Sequence, residues 1–244
     1  MTAALGNVKI VADVYCRLSD FFGNQHWWPT TTRNKETEMI VGAFLTQNTS
    51  WKNVEKAISN LATSDMMDFK KIAVAKKERI SQLIRPSGYY NQKAERLQLF
   101  AQYICGNYDG DVKLLLRKEK DELRAELLQL KGIGSETADS ILLYAANKDA
   151  FVIDAYTRRI FSRIGVCSEG VSYNELQQLI TGNLPGKMKT AAVFSQYHAL
   201  LVELGKNICI KRSPLCSQCP LVDCCGYGKA AVKTAQDLNK LRQD

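Results

Sequence analysis

Leu130-Lys131-Gly132-Ile133-Gly134-Ser135-Glu136-Thr137-Ala138-Asp139 lies between two stretches of helical periodicity, residues 118–130 and 135–147. Two glycines around one aliphatic residue let the chain reverse tightly, with Ile133 as the anchor in the core. Amides opening the second helix would face outward, where hydrogen bonding and the helix dipole favour a phosphate oxygen. An ordinary helix-helix turn explains an isolated Gly-x-Gly equally well, so its context has to decide. Twenty residues beyond Gly134, a short apolar run Phe151-Val152-Ile153 ends in Asp154, followed by Ala155-Tyr156-Thr157-Arg158-Arg159.

The whole composition narrows the options. The chain has 244 residues, 45% hydrophobic and 24% charged, which fits one large or two modest globular domains and excludes disorder, collagen and coiled coil. The 33 Lys+Arg against 25 Asp+Glu give a net charge of +8, which favours a polyanionic partner or an anionic surface. No signal-like N-terminus and no long uncharged apolar run are visible, so a soluble cytoplasmic chain without a membrane partner is expected. Five of the eight cysteines fall within residues 209–225, and in a reducing compartment such a group reads as metal ligands rather than disulfides.

Helices dominate the rest. Three- and four-residue apolar spacing marks residues 8–22, 68–75, 77–84, 92–105, 111–116, 173–182 and 187–204, with further helix from Lys35 and after Ser50, a natural N-cap. Residues 24–34, with His26-Trp27-Trp28-Pro29 and a threonine run, cannot be regular helix. Residues 229–244 read as a short solvated helix or a frayed tail. Cys16, Cys105 and Cys167 read as buried core thiols, and His198 as a core or cleft histidine rather than a metal ligand.

Hairpin, helix, Val-Ile-Asp and then a basic helix resemble the endonuclease III superfamily of helix-hairpin-helix DNA glycosylases, from about residue 35 to residue 226. The resemblance implies that Asp154 is the catalytic carboxylate. Breaking an N-glycosidic bond builds an oxocarbenium-like sugar, which a carboxylate stabilises or which water activated by it attacks. An aspartate here also serves as a helix N-cap. Members that nick the backbone carry a lysine two residues after the second hairpin glycine. Glu136 stands there instead, which implies a monofunctional enzyme. Lys131, Gly132, Ile133, Gly134 and Arg158 are then the expected phosphate-facing DNA contacts.

Cys209-x6-Cys216-x2-Cys219-x5-Cys225 matches the C-terminal iron-sulfur loop of many such relatives, which implies a [4Fe-4S] cluster on those four thiolates. Zinc is the runner-up, and Cys225 is preferred to Cys224 on family spacing alone. A [4Fe-4S]2+ core with four thiolates would lower the net charge to about +6.

All three tryptophans, Trp27, Trp28 and Trp51, lie near the N-terminus, and an adjacent pair in a loop leaves at least one ring free to stack. A base flipped out of the duplex needs flat apolar walls, and a cationic alkylated base gains about 1–2 kcal/mol from indole faces once water is excluded. Together with Leu45-Thr46-Gln47-Asn48-Thr49 and the segment from Arg85 to Ala94, these residues resemble the 3-methyladenine DNA glycosylase III type. The resemblance assigns Trp27, Trp28, Trp51 and Lys206 to the base pocket. It gives Gln47 and Tyr89 the roles of filling the gap and wedging the duplex, although helix-cap packing suits Tyr89 equally well. Residues 91–93 read as a further phosphate-facing helix start.

The expected protein is all-α, with two helical domains. Residues 30–147 form a six-helix barrel with the helix-hairpin-helix at about 122–147. Residues 1–29 and 148–244 form a second domain carrying the cluster loop, with a DNA-binding cleft between the two. The expected activity is monofunctional release of an alkylated base from double-stranded DNA by a monomer. The alternatives are an endonuclease III-like glycosylase for oxidised pyrimidines or mismatched bases, and a non-catalytic DNA-binding module.

Overall fold

Apolar residues spaced three and four apart do become helices in the computed structural model, which describes residues 2–240. In chain order these are α1 (Thr2–Phe22), α2 (Lys35–Leu45), α3 (Trp51–Thr63), α4 (Phe69–Val74), α5 (Lys77–Leu83), α6 (Tyr90–Tyr108) and α7 (Val112–Leu116). They continue with α8 (Lys120–Gln129), α9 (Ser135–Ser140), α10 (Ala155–Ile164), α11 (Tyr173–Asn183), α12 (Ala191–Asn207) and α13 (Gly226–Lys240). No strand occurs among the described residues, so the protein is all-α as its sequence implied. The β-like run Phe151–Ile153 is buried and forms no strand. The charged C-terminal stretch is helical as far as Lys240, and residues 241–244 lie outside the described residues.

The described chain forms two compact units: Trp28–Ala150, and the residues through Trp27 together with those from Phe151 on. In the Trp28–Ala150 unit, α3 buries Val54, Ala57, Ile58 and Leu61, and α6 buries Ala94, Leu97, Phe100, Ala101 and Ile104. Each set is one face of a 3.6-residue period. Phe100 is the hub, its ring 5.3 Å from Phe44 and 5.2 Å from Phe69. Side chains start the short helices: Asp68 accepts from the Lys70 amide at 2.7 Å and Asp111 from the Lys113 amide at 3.0 Å. Ser50 occupies the N-cap of α3 but makes no side-chain cap bond.

Buried polar groups order the irregular segments. Glu38, 1% exposed in the first turn of α2, accepts from the amides of Thr31 at 2.9 Å and Thr32 at 2.6 Å. The threonine run is therefore the wrapping of a buried carboxylate. Lys93, expected to face a phosphate, is instead buried and donates to the carbonyls of Leu45 at 2.9 Å and Ser87 at 2.7 Å. Burial, then the nearby Arg96, lowers its amine to about 8. It is a structural tie, because leaving the last carbonyl of α2 without a donor away from water is costly.

The segment expected as one helix over 135–147 is α9 followed by a π-helical turn, Ile141–Ala145. The wider turn accommodates four consecutive buried side chains, Ile141 to Tyr144.

In the other unit, α1 buries Val11, Val14 and Leu18. It packs on α11 and α12, where the Tyr197 hydroxyl donates to the Val11 carbonyl at 2.7 Å. α10 buries Thr157, Ile160, Phe161 and Ile164. Arg159 on that helix donates to the carbonyls of Gly205 at 2.7 Å and Cys209 at 2.9 Å, closing the end of α12. The expected core thiols are not core: Cys16 is exposed because it lies off the Val11/Val14/Leu18 stripe, and Cys105 and Cys167 are half-buried.

The helices flanking the hairpin are locked by one ion pair. Asp139 on α9, fully buried, accepts from Arg124 on α8 at 2.7 Å through Nε and 3.3 Å through Nη2. Asp139→Asn should lower stability by about 3 kcal/mol, the lower end for breaking a buried pair because Arg124 is partly exposed. A second change, Arg124→Met, should restore part of that loss. Thermal denaturation of the single and double variants measures both effects.

Candidate active site

Asp154 closes the extended run and caps α10: its Oδ1 accepts from the Thr157 amide at 2.7 Å. Its side chain is 12% exposed, and His198 on α12 brings Nε2 to 3.5 Å from Oδ2, at the long limit of a hydrogen bond. Burial pushes the carboxyl upward, but His198 and the Thr157 amide outweigh it and hold Asp154 below the usual carboxylate range. The charge is thus kept in a nearly dry place through neutral and mildly acid pH. Its favourable contribution to folding is lost only as pH falls through the lowered value. Sequence reasoning treated His198 as a core or cleft histidine and did not connect it with Asp154. The helical spacing of α12 carries no signal of a partner on α10.

Two of the three tryptophans meet within the Trp28–Ala150 unit. The Trp28 ring lies 4.9 Å from Trp51 at 89° and 4.9 Å from Tyr144 at 54°. A Cβ at Gly42 would come within 2.5 Å of Trp28 Cζ2, so glycine at that position of α2 is what lets the indole lie against the helix. Trp51 Nε1 donates to Glu55 at 2.8 Å. Tyr144 comes from the π-turn and was not expected at a site, since nothing in a run of apolar residues announces a wider helical turn. In the other unit, Trp27 is half-buried and its carbonyl accepts from Ser195 Oγ at 3.1 Å, while Lys206 is exposed in the last turn of α12.

The hairpin is braced from two sides. Gly132 has φ +91°, and the Arg96 side chain lies where its Cβ would be. Ile133 is buried, and Gly134 stands at the N-cap of α9. Gln47 donates through Nε2 to Thr137 Oγ1 at 3.0 Å and accepts from Arg96 at 3.0 Å. The residue expected to fill a gap in the duplex is thus tied to the hairpin. Lys131 is exposed and pairs with Glu95 at 2.7 Å, and Arg158 donates to the Val171 carbonyl. Tyr89 stands at the N-cap position of α6 with φ +45° and is 67% exposed.

Near the C-terminus, Cys209, Cys216, Cys219 and Cys225 line one small cavity that is partly open to solvent. Arg163, Tyr227 and Gly228 complete its wall. Arg163 Nη1 donates to Cys209 Sγ at 3.3 Å and its guanidinium lies 4.8 Å from the Tyr227 ring centre. Cys225 Sγ accepts from the Gly228 amide at 3.3 Å. Cys224 does not line the cavity; its thiol donates to the Leu221 carbonyl at 3.3 Å and lies within electrostatic reach of Arg17 and Asp13 on α1. Burial pushes the thiols of Cys216, Cys219 and Cys225 up, Cys219 to about 11, and the neighbouring thiols add to this.

Comparison with known proteins agrees with this architecture. The model of the HhH-GPD superfamily of base excision DNA repair proteins matches residues 41–185. A Methanocaldococcus jannaschii protein provisionally named a DNA repair glycosylase is 46% identical over 219 residues, 89% of this chain and 96% of that protein. Endonuclease III of Thermotoga maritima is 30% identical over 207 residues, 82% and 90% of the two chains. The structure of H. pylori 3-methyladenine DNA glycosylase bound to 1,N6-ethenoadenine superposes with a TM-score of 0.69 at 29% identity, covering 82% of this chain and 97% of that one. The chain belongs to the HhH-GPD superfamily of base excision DNA repair proteins, as an endonuclease III-like DNA glycosylase.

Proposed function

We propose that this glycosylase is monofunctional and releases alkylated, 3-methyladenine-like bases from double-stranded DNA, with Asp154 as the catalytic carboxylate. The observation that carries this reading is an ionised carboxylate kept in a nearly dry site. As the C1′–N bond breaks, its electron pair leaves with the base and positive charge grows on the sugar. Asp154 stabilises that charge, water adds to C1′, and the carboxylate or solvent takes the water's proton. An alkylated purine already carries positive charge and leaves readily, so no separate general acid is required. Asp154→Asn should slow release of 3-methyladenine from methylated duplex DNA by about 10³-fold, read by chromatography of the freed base. Undiminished release would refute the assignment.

For the base itself, the Trp28, Trp51 and Tyr144 cluster offers electron-rich faces, which supports a cationic lesion. The 29% identity with the H. pylori 3-methyladenine enzyme supports the same choice. Trp27 and Lys206 complete the proposed base-contacting set. Tyr89 is the proposed wedge, while Lys131, Gly132, Ile133, Gly134 and Arg158 are the proposed DNA contacts. Gln47 has to release Thr137 and Arg96 before it can enter a duplex.

A second reading, an oxidised-pyrimidine or mismatched-base enzyme with strand nicking, draws support from the relative named endonuclease III in T. maritima. Nicking needs an amine that forms a Schiff base, and Glu136 occupies the position the family gives to that lysine. Borohydride treatment during turnover should trap no covalent protein-DNA adduct; a trapped adduct would favour the second reading.

We further propose that Cys209, Cys216, Cys219 and Cys225 hold a [4Fe-4S] cluster. The donor set fits: four thiols share the lining of one cavity. Burial, and then the neighbouring thiols, favour the protonated form of Cys216, Cys219 and Cys225, and a cationic core would compensate their thiolate charge. Bound there, the cluster would cross-link the loop. Cys225→Ser should abolish the visible iron-sulfur absorption and the bound iron, whereas Cys224→Ser should retain both. The opposite pattern would exchange the two residues.

A further inference from the structure

We propose that Lys93 is a positioning residue for base flipping: its buried Nζ clamps together the two loops that present Gln47 and Tyr89, so that both side chains enter the duplex from fixed backbones. The proposal rests on the reading of Gln47 and Tyr89 as the residues that fill the gap and wedge the strands.

Lys93 lies in the first turn of α6 and is 3% exposed. Its Nζ donates to the Leu45 carbonyl at 2.9 Å and to the Ser87 carbonyl at 2.7 Å. Each acceptor stands two residues before a side chain assigned to the duplex, Leu45 before Gln47 and Ser87 before Tyr89. One amine thus meets equivalent points of two loops that are far apart in sequence. The backbone amide of Lys93 also donates to the Tyr89 carbonyl at 3.1 Å, so this residue holds the wedge loop on both sides of Gly88.

The wedge loop needs such a hold. Gly88 and Tyr89 follow one another at φ +68° and +45°, and a tyrosine keeps to the left-handed region only where its surroundings impose it. Tyr89 is 67% exposed, so packing of its ring contributes little to that imposition. Just upstream, Ser87 ends the 3-10 turn Arg85–Ser87 fully buried, and its hydroxyl donates to the Ile84 carbonyl at 2.7 Å. On the other loop, Asn48, directly after Gln47, has φ +53°. The chain therefore reverses abruptly at both side chains assigned to the duplex, and Lys93 holds a carbonyl just ahead of each reversal.

Lysine is a costly choice for such a place. Burial lowers its amine to about 8, and lysines persist away from water where acceptors converge on them. An apolar side chain of similar length would fill the same volume but would leave both carbonyls without this donor and remove the link. Arg96, one turn further along α6, binds the Gln47 side chain at 3.0 Å, and Thr137 Oγ1 accepts from it at 3.0 Å. Backbone and side chain of that loop are thus held by different residues. When Gln47 leaves Arg96 and Thr137, its side chain can swing while Leu45 stays anchored, which is the motion that filling a gap requires. A displaced base pushes back on whatever displaces it, and a backbone free to yield would let it restack.

Distortion of the duplex, read apart from catalysis, tests this in the full chain. The probe is a duplex with a tetrahydrofuran in place of one nucleoside and 2-aminopurine in the opposite strand, whose fluorescence reports its stacking. The change at saturating protein is the response, and thermal denaturation establishes that each variant is folded. Gln47→Ala and Tyr89→Ala should each diminish the response. Lys93→Met should diminish it about fivefold, and truncating Gln47 or Tyr89 in that background should diminish it no further. Ile104→Ala, three turns further along α6 in the core, controls for lost stability and should keep the response.

A Lys93→Met variant that keeps the wild-type response overturns the role of Lys93. So does an Ile104→Ala variant that loses it equally, or a loss that multiplies when Lys93→Met is combined with Gln47→Ala or Tyr89→Ala. If Gln47→Ala and Tyr89→Ala both keep the full response, the reading of those two residues falls, and this proposal with it. Should methionine prevent folding, Lys93→Gln, whose side chain is one bond shorter, takes its place in the same comparison with the same criteria.

Discussion

A carboxylate taken out of water has to be met by donors, and three such carboxylates organise this molecule. Glu38 gathers backbone amides and thereby shapes the loop that follows Trp28. Asp139 takes a two-pronged guanidinium and fixes the angle between the helices of the hairpin. Asp154 takes one amide and an imidazole, a lighter set of donors than either of the others. The gradation is physically consistent. A carboxylate neutralised by arginine is a fastener, whereas one fixed through a single backbone amide keeps its charge available to something else.

Within the Trp28–Ala150 unit, the parts proposed to handle DNA are cross-braced. Arg96 covers Gly132 with its stem and binds Gln47 with its guanidinium, and Gln47 in turn binds Thr137. The loop after α2, α6 and the hairpin are therefore tied to one another through these side chains for as long as Gln47 keeps its partners. Trp28 is fixed to the same body, because its indole rests on α2 at Gly42 and against Tyr144. A rigid frame of this kind suits an enzyme that must distort its substrate, since strain placed on the duplex is not dissipated in the protein.

Much of this was legible in the sequence. The helical stripes of α3 and α6, the Gly132-Ile133-Gly134 turn and the cysteine group are local patterns, and local patterns carry their own signal. What escaped notice depends on partners distant in sequence. Lys93 reads as an exposed helix start until the free carbonyls of Leu45 and Ser87 are seen to converge on it. Tyr144 sits in a uniformly apolar run, where periodicity cannot show that the turn has widened. His198 is one of many residues on α12 with helical spacing, and its importance lies in what α10 brings to it. The threonine run before α2 is composition without pattern, because its order is imposed by Glu38.

The unit that carries Asp154 is assembled from both ends of the chain, since α1 packs against α11 and α12. During synthesis the apolar stripe of Val11, Val14 and Leu18 therefore emerges well before the surfaces that cover it. At ordinary elongation speeds the wait is on the order of ten seconds or more. Trp28–Ala150, by contrast, is continuous and has what it needs to condense while the remainder is still being made. The newborn protein thus passes through a stage in which a finished middle domain carries an uncovered greasy helix ahead of it. Chaperone occupancy in the cell should concentrate on that leading helix rather than on the domain that follows it.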